Sequence, residues 1–197
     1  MSTSLQDVLI LGNAPIKDNL AAQVDAFERV VRFNFCAGMP VNLGSKCTDL
    51  WLTGRGRQAA KLLQQPIAVD PERLQNVVIT DPPAQPVVQS LFRLIRRQGK
   101  YDHGAALLAK FASSQSGWRV SKETRKQLLK RLHTYGKPQY KPVCPSSGTL
   151  AIDHFLQQGH RVTITGFGFQ GWKRHPWDLE QRYVAELVDT GKLQWLT

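Results

Sequence analysis

Short apolar runs, each stopped at once by glycine, proline or a polar residue, constrain this chain most. Val8-Leu9-Ile10-Leu11 stops at Gly12-Asn13, and Asp49-Leu50-Trp51-Leu52 stops at Thr53-Gly54. Asn76-Val77-Val78-Ile79-Thr80 stops at Asp81-Pro82-Pro83, and Arg161-Val162-Thr163-Ile164-Thr165 at Gly166-Phe167-Gly168. Runs so short and so continuously apolar read as strands buried on both faces. Val30-Val31-Arg32-Phe33-Asn34-Phe35 reads as a further strand, and Leu193 to Leu196 as a short terminal one. Between them lie segments of helical composition: Ala21 to Phe27, Arg57 to Gln64, Val87 to Arg97, Ala105 to Phe111, Lys122 to His133 and Asp178 to Val188. Pro142 and Pro145 break the chain before one more helix, Gly148 to Gln158, which Ser146 or Ser147 caps and Gly159 ends. Strands alternating with helices predict a single Rossmann-like α/β domain over residues 1–197, with a mostly parallel sheet and helices on both faces. A sheet of that kind binds its ligand at the carboxyl ends of its strands. Gly12-Asn13, Asn34, Ser147-Gly148 and the residues from Gly166 onward fall in those positions.

Composition narrows the class. Hydrophobic residues make up 42% of the chain, enough to fold around a core. No apolar run approaches the roughly 20 residues that span a bilayer. Met1 to Asp7 lack the basic and apolar regions of a signal peptide. Cys36, Cys47 and Cys144 are far apart and form no Cys-x-x-Cys pair, which predicts buried free thiols in a reducing compartment. These signals predict a cytoplasmic protein. The net charge of +11 is carried by one stretch: residues 93–141 hold thirteen Lys or Arg against Asp102 and Glu123, and the remainder is balanced. This stretch reads as a basic helical segment that attracts anions, whether nucleic acid, an anionic membrane or a phosphorylated acceptor.

The motifs that carry chemistry are few. Gly12-Asn13 follows a strand, but no Gly-x-Gly-x-x-Gly and no Gly-Lys-Ser or Gly-Lys-Thr is present, so neither a dinucleotide fingerprint nor a P-loop is expected. Ser146-Ser147-Gly148 opens a helix, where N–H groups, hydroxyls and the helix dipole suit a phosphate or carboxylate as well as a plain N-cap. His175 stands after a glycine-rich loop and before a helix, flanked by Lys173, Arg174 and Trp177. No histidine pair has metal-ligand spacing and no Asp-x-Asp occurs, so no metal and no cofactor is expected.

The order of these elements resembles the sialyltransferase family. Val8-Leu-Ile-Leu-Gly-Asn13, then Val24-Asp25, Val30-Val-Arg-Phe-Asn34 and Leu43-Gly-Ser-Lys46 resemble that family's long sialylmotif. Pro145-Ser-Ser-Gly-Thr-Leu150 with Val162-Thr-Ile-Thr-Gly-Phe167 resembles its short motif. His175 and Glu180, four residues between them, match the very short motif, and Gly191-Lys192 fits the C-terminal end. The resemblance implies that Asn13 and Asn34 hold the nucleotide and phosphate of CMP. It implies that Ser147 and Gly148, with Ser146 beside them, contact the donor, that His175 is the catalytic base, and that Glu180 is structural. The sequence departs from the family in three ways. Val8 and Gly159 stand where its linking disulfide has cysteines, the animal enzymes' anchor and stem are expected to be absent, and the third motif has no counterpart. Between Phe167 and His175 there is only Gly-Phe-Gln-Gly-Trp-Lys-Arg, so Lys173 and Arg174 are the candidates to replace its phosphate contacts.

The expectation is therefore a short, bacterial-type member working in surface-glycan assembly. It would be an inverting, metal-independent transferase moving a CMP-activated ulosonic acid, sialic acid or Kdo, onto a glycan or glycolipid. Peripheral contact with anionic lipid on the inner face of the membrane would follow from the basic segment, and no specific nucleic acid is expected. Two alternatives stay open: a CMP-sugar-binding protein without catalysis, and a nucleic-acid-binding α/β protein, which would account for the charge but not for three ordered motifs.

Overall fold

The computed structural model describes residues 5–141 and 143–196, so Met1 to Ser4, Pro142 and Thr197 lie outside it. Among the described residues seven strands form one sheet: β1 (Asp7–Leu11), β2 (Arg29–Phe33), β3 (Asp49–Leu52), β4 (Asn76–Ile79), β5 (Ser116–Arg119), β6 (Arg161–Thr165) and β7 (Leu193–Trp195). Their order across the sheet is β5-β4-β3-β2-β1-β6-β7. Every pairing is parallel. The expected Rossmann-like α/β fold is therefore found. The chain winds outward from β1 to β5 and then returns through α6 (Ser147–Gln157) to place β6 on the other side of β1. Loops leaving β1 and β6 thus open a crevice at the carboxyl edge.

Alternation along each strand divides the core. Val8 and Ile10 of β1, Val31 and Phe33 of β2, Trp51 and Val78 face one side and pack with α5 (Lys122–Leu132), α6 and α7 (Trp177–Asp189). Leu50, Leu52, Val77 and Ile79 face the other side with α2 (Gly56–Gln64) and α4 (Gly104–Lys110). Leu9, Leu11 and Val30 join them there with α1 (Ala21–Ala26). Burial on both faces is why these strands read as unbroken apolar runs. On the first side, Asp153 of α6 accepts from the Arg131 guanidinium of α5 and from Tyr183 Oη of α7, tying three helices together. No helix among the described residues is long and apolar enough to cross a membrane.

The helices expected in the basic stretch form, but a strand interrupts them. The stretch holds the end of α3 (Pro86–Leu94), then α4, edge strand β5 and α5. The run Ser116-Gly117-Trp118-Arg119 has no apolar continuity because β5 pairs on one side only, and Trp118 is its one large apolar side chain. That ring meets Trp51 of β3 edge-on, 5.8 Å between centroids. Three of the thirteen basic residues pair inward, Arg119 with Asp102, Arg125 with Asp81 and Arg131 with Asp153. The cysteines are free as expected, Cys36 and Cys47 buried but Cys144 only half-buried.

His154 of α6 packs among Trp51, Trp118 and Phe155, and burial pushes its pKa down to about 4, with the Arg29 guanidinium acting in the same direction. Above its unfolded value of 6.5 the ring is neutral in both states. As pH falls from 6.5 towards 4, the unfolded chain takes up a proton that the folded chain refuses, so stability drops by about 3 kcal/mol. Denaturant unfolding at several pH values across this window should show that slope, and His154→Gln should remove the larger part of it. An unchanged slope would assign the acid sensitivity to other groups.

Candidate functional site

The crevice between β1 and β6 exists because two backbones touch. Gly12 N–H donates to Thr165 O at 2.8 Å and Ala14 N–H to Gly166 O at 2.9 Å. A Cβ on Gly12 would run into the Gly166 carbonyl, and Gly166 itself has a φ of 72°. Only glycine allows this approach and this turn. The loops then diverge around a cleft of about 530 Å³. Asn13 and Asn34, Ser146 to Gly148, Gly166 to Trp172, His175 and Trp177 line it, so the sequence-predicted site residues come together at one place.

Each is positioned differently. Asn13 is exposed on the loop after β1. Asn34 ends β2 at a φ of 55°, a left-handed conformation that asparagine tolerates better than most residues. Its Oδ1 accepts the Thr53 N–H at 3.0 Å, which joins the ends of β2 and β3 and leaves the amide NH₂ as the group to offer a ligand. Ser146, rather than Ser147, caps α6: its Oγ accepts the Thr149 N–H at 3.2 Å. Ser147 and Gly148 form the first turn of α6, where free N–H groups and the helix dipole favour an anion.

Glu180 of α7 is fully buried and closes this turn from behind. Its Oε1 accepts the Ser146 N–H at 2.7 Å and its Oε2 the Thr149 hydroxyl at 2.8 Å. Burial raises the Glu180 carboxyl above the usual carboxylate range, and those donors offset only part of the rise. Its geometry makes it a structural clamp between the starts of α6 and α7.

His175 is half-buried, with its Nδ1 2.6 Å from the Cys144 carbonyl oxygen. A carbonyl can only accept, so the proton sits on Nδ1 and Nε2 carries the lone pair. Trp172 and Trp177 meet the ring edge-on, with centroids 5.1 and 4.8 Å away. Burial lowers the His175 pKa, with the Arg125 guanidinium acting in the same direction, against the Cys144 carbonyl that raises it. The ring is therefore neutral near pH 7, as a base must be. Beyond it lies a second cavity of about 300 Å³, bordered by Tyr140, Lys173, Trp177 and Gln181. His175 lines both cavities.

The support of this histidine carries no local signal in the sequence. Asp81, at the end of β4, accepts from the Gly54 N–H at 2.8 Å and from Arg125 at 3.0 Å. Arg125 also contacts Cys144 Sγ, so the ends of β3 and β4 are linked through α5 to the carbonyl that orients His175. The alternation of one acid and one arginine 44 residues apart left no local signal. Gln58 of α2 also lines the cleft without any motif to mark it. Asp25 and the Leu43-Gly-Ser-Lys46 stretch sit outside the cleft: Asp25 accepts the Ser45 and Lys46 N–H groups, and Arg32 reaches the Leu43, Gly44 and Lys46 carbonyls. Among the described residues no group of three or more His, Cys, Asp or Glu is placed to hold a metal ion.

No known family profile matches the chain. Over 202 aligned residues it is 28% identical to the urease operon 23 kDa accessory protein of Rhizobium meliloti (strain 1021), across 96% of this chain and 92% of that protein. A crystal structure of a mammalian sialyltransferase in complex with Gal-beta-1-3GalNAc-ortho-nitrophenol superposes with a TM-score of 0.59, and a second mammalian sialyltransferase structure with 0.60. Both are 16% identical, over 98% of this chain and 70% of theirs. The fold is sialyltransferase-like.

Glu180→Ala should leave the Ser146 N–H buried without a partner, at a cost of about 1–3 kcal/mol, and leave the Thr149 hydroxyl only its 3.1 Å contact with Ser146 Oγ. Urea unfolding should show a loss of at least about 1–3 kcal/mol. A loss below about 0.5 kcal/mol would mean the clamp is not needed to hold the two helices.

Proposed function

We propose that the chain is an inverting, metal-independent glycosyltransferase that moves a CMP-linked ulosonic acid, sialic acid or Kdo, to a glycan or glycolipid hydroxyl. The observation that carries this reading is the position of His175 between two cavities with Nε2 free. In this reading the cleft at β1 and β6 takes the donor. The Asn34 amide and the Asn13 loop hold the nucleotide. The first turn of α6, Ser147-Gly148 with Ser146 behind, faces the donor's negative charge. The smaller cavity takes the acceptor, with Tyr140 and Trp177 as apolar platforms for a sugar ring and Gln181 and Lys173 as polar contacts.

Nε2 accepts the acceptor hydroxyl's proton as its oxygen attacks the anomeric carbon from the face opposite CMP. The bond from that carbon to the phosphate oxygen breaks, its electron pair leaves with CMP, and configuration inverts. The Nδ1–H bond to the Cys144 carbonyl steadies the imidazolium that forms. The fold shared with the mammalian sialyltransferases and the ordered motifs support this reading. The name of the Rhizobium meliloti relative favours a second one, in which the chain serves a urease operon as an accessory protein and binds its ligand without transfer.

Titration calorimetry with CMP and with each CMP-sugar, followed by transfer assays on a glycan panel, separates the two. His175→Ala should bind CMP nearly as well as wild type, yet lose about 10²–10⁴ in transfer rate. Asn34→Ala should chiefly weaken binding. Because the His175 pKa is lowered, the wild-type rate should be flat near neutrality and fall only as pH drops below 6.5. CMP binding with no transfer by the wild type favours the accessory reading, and full turnover by His175→Ala contradicts the proposed base.

A further inference from the structure

Helix α3 buries none of its residues and contributes nothing to any of the three core clusters. Val87, Val88, Leu91, Leu94 and Ile95 are all exposed, Val87 at 81% and Leu94 at 79%. Their spacing of one, three, three and one puts them on one stripe of the helix. Exposed apolar residues scattered singly are ordinary, but a contiguous stripe of five marks an interaction surface.

Polar bonds hold this helix to the body instead. Gln89 Nε2 donates to the Lys100 carbonyl at 3.1 Å, and its Oε1 accepts the Asp102 N–H at 2.9 Å. Asp102 in turn accepts the Ala84 N–H and pairs with Arg119, so both ends of the segment are fixed. The helix is therefore presented with its apolar side outward. It leaves β4 at the carboxyl edge of the sheet, the edge on which the cleft opens.

Charge decides what covers the stripe. Arg93, Arg96, Arg97 and Lys100 flank its end, all exposed and outside every ion pair among the described residues. No acid stands between Pro82 and Tyr101. A second copy laid on the stripe offers these cations no acid in either orientation, so self-association would leave their charge uncompensated. A surface that is apolar within and anionic at its rim fits both features, and an anionic bilayer has that profile.

We propose that α3 is an interfacial anchor, laying its five apolar side chains into the headgroup–acyl boundary of an anionic membrane while the four cations engage lipid phosphates. This holds whether or not the cleft transfers a sugar.

Flotation of the full chain with vesicles of phosphatidylcholine alone, or with a third phosphatidylglycerol, tests it at low and high salt. Binding is expected only to the anionic vesicles, weakened by salt. Each basic residue near such a surface is worth about fivefold, so R93Q/R96Q/R97Q should bind on the order of 100-fold more weakly. L91S/L94S/I95S should also lose at least about tenfold, with an unchanged thermal unfolding curve because these side chains are exposed. Should that triple variant misfold, L94S alone should still weaken binding severalfold. Equal binding to neutral and anionic vesicles would overturn the proposal. So would full binding by the serine variants, or a wild-type dimer in sedimentation equilibrium that they abolish.

Discussion

A carboxylate with no contact to solvent is the constraint on which the site depends. Glu180 lies at the start of α7, and its oxygens accept from the backbone and side chain that open α6. Burying a charge is costly unless it is fully bonded, so the two helix starts can sit in only one relation to each other. Both helix dipoles present their positive ends near Glu180, which offsets part of the desolvation. The consequence reaches the cleft directly. The first turn of α6 faces the loops of β1 and β6, and the segment that enters α7 carries His175. One buried group thereby fixes the distance between the first turn of α6 and His175.

The sheet supplies the rest of the frame. Because β6 returns beside β1, the loops after these two strands must separate, and the Gly12–Gly166 contact brings them close before they do. At the opposite side of the cleft, Asn34, Thr53, Asp81 and Arg125 form a hydrogen-bonded line across the ends of β2, β3 and β4. That line ends at Cys144, whose carbonyl sets the tautomer of His175. His175 is thus held from two directions, by the clamp below and by the line beside it. Geometry of this kind is what proton transfer needs, since a base must be both unprotonated and aimed.

Much of this was legible in the sequence, for a physical reason in each case. Strands buried on both faces are unbroken apolar runs, so β1, β3, β4 and β6 were evident, and the glycines that stop β1 and β6 marked the cleft loops. Strand β5 was not, because an edge strand pairs once and needs no apolar run; Ser116 and Gly117 are exposed. The basic stretch read as one helical face because charge was counted without partners, whereas Arg119, Arg125 and Arg131 point inward to acids. Asp25 and Lys46 belonged to a recognisable motif, yet they brace a loop outside the cleft. The second cavity at His175 gave no signal, since Tyr140, Lys173 and Gln181 converge only after α7 has packed.

The central claim is that the crevice at β1 and β6 is a nucleotide site beside a neutral His175. Backbone amide NMR during titration with CMP measures this most directly. The account predicts the largest shifts at Asn13, Asn34, Ser147, Gly148 and the Gly166 loop, with His175 still protonated on Nδ1 near pH 7. Shifts confined to the cavity at the amino ends of the strands, around Arg29, Trp118 and His160, would contradict it.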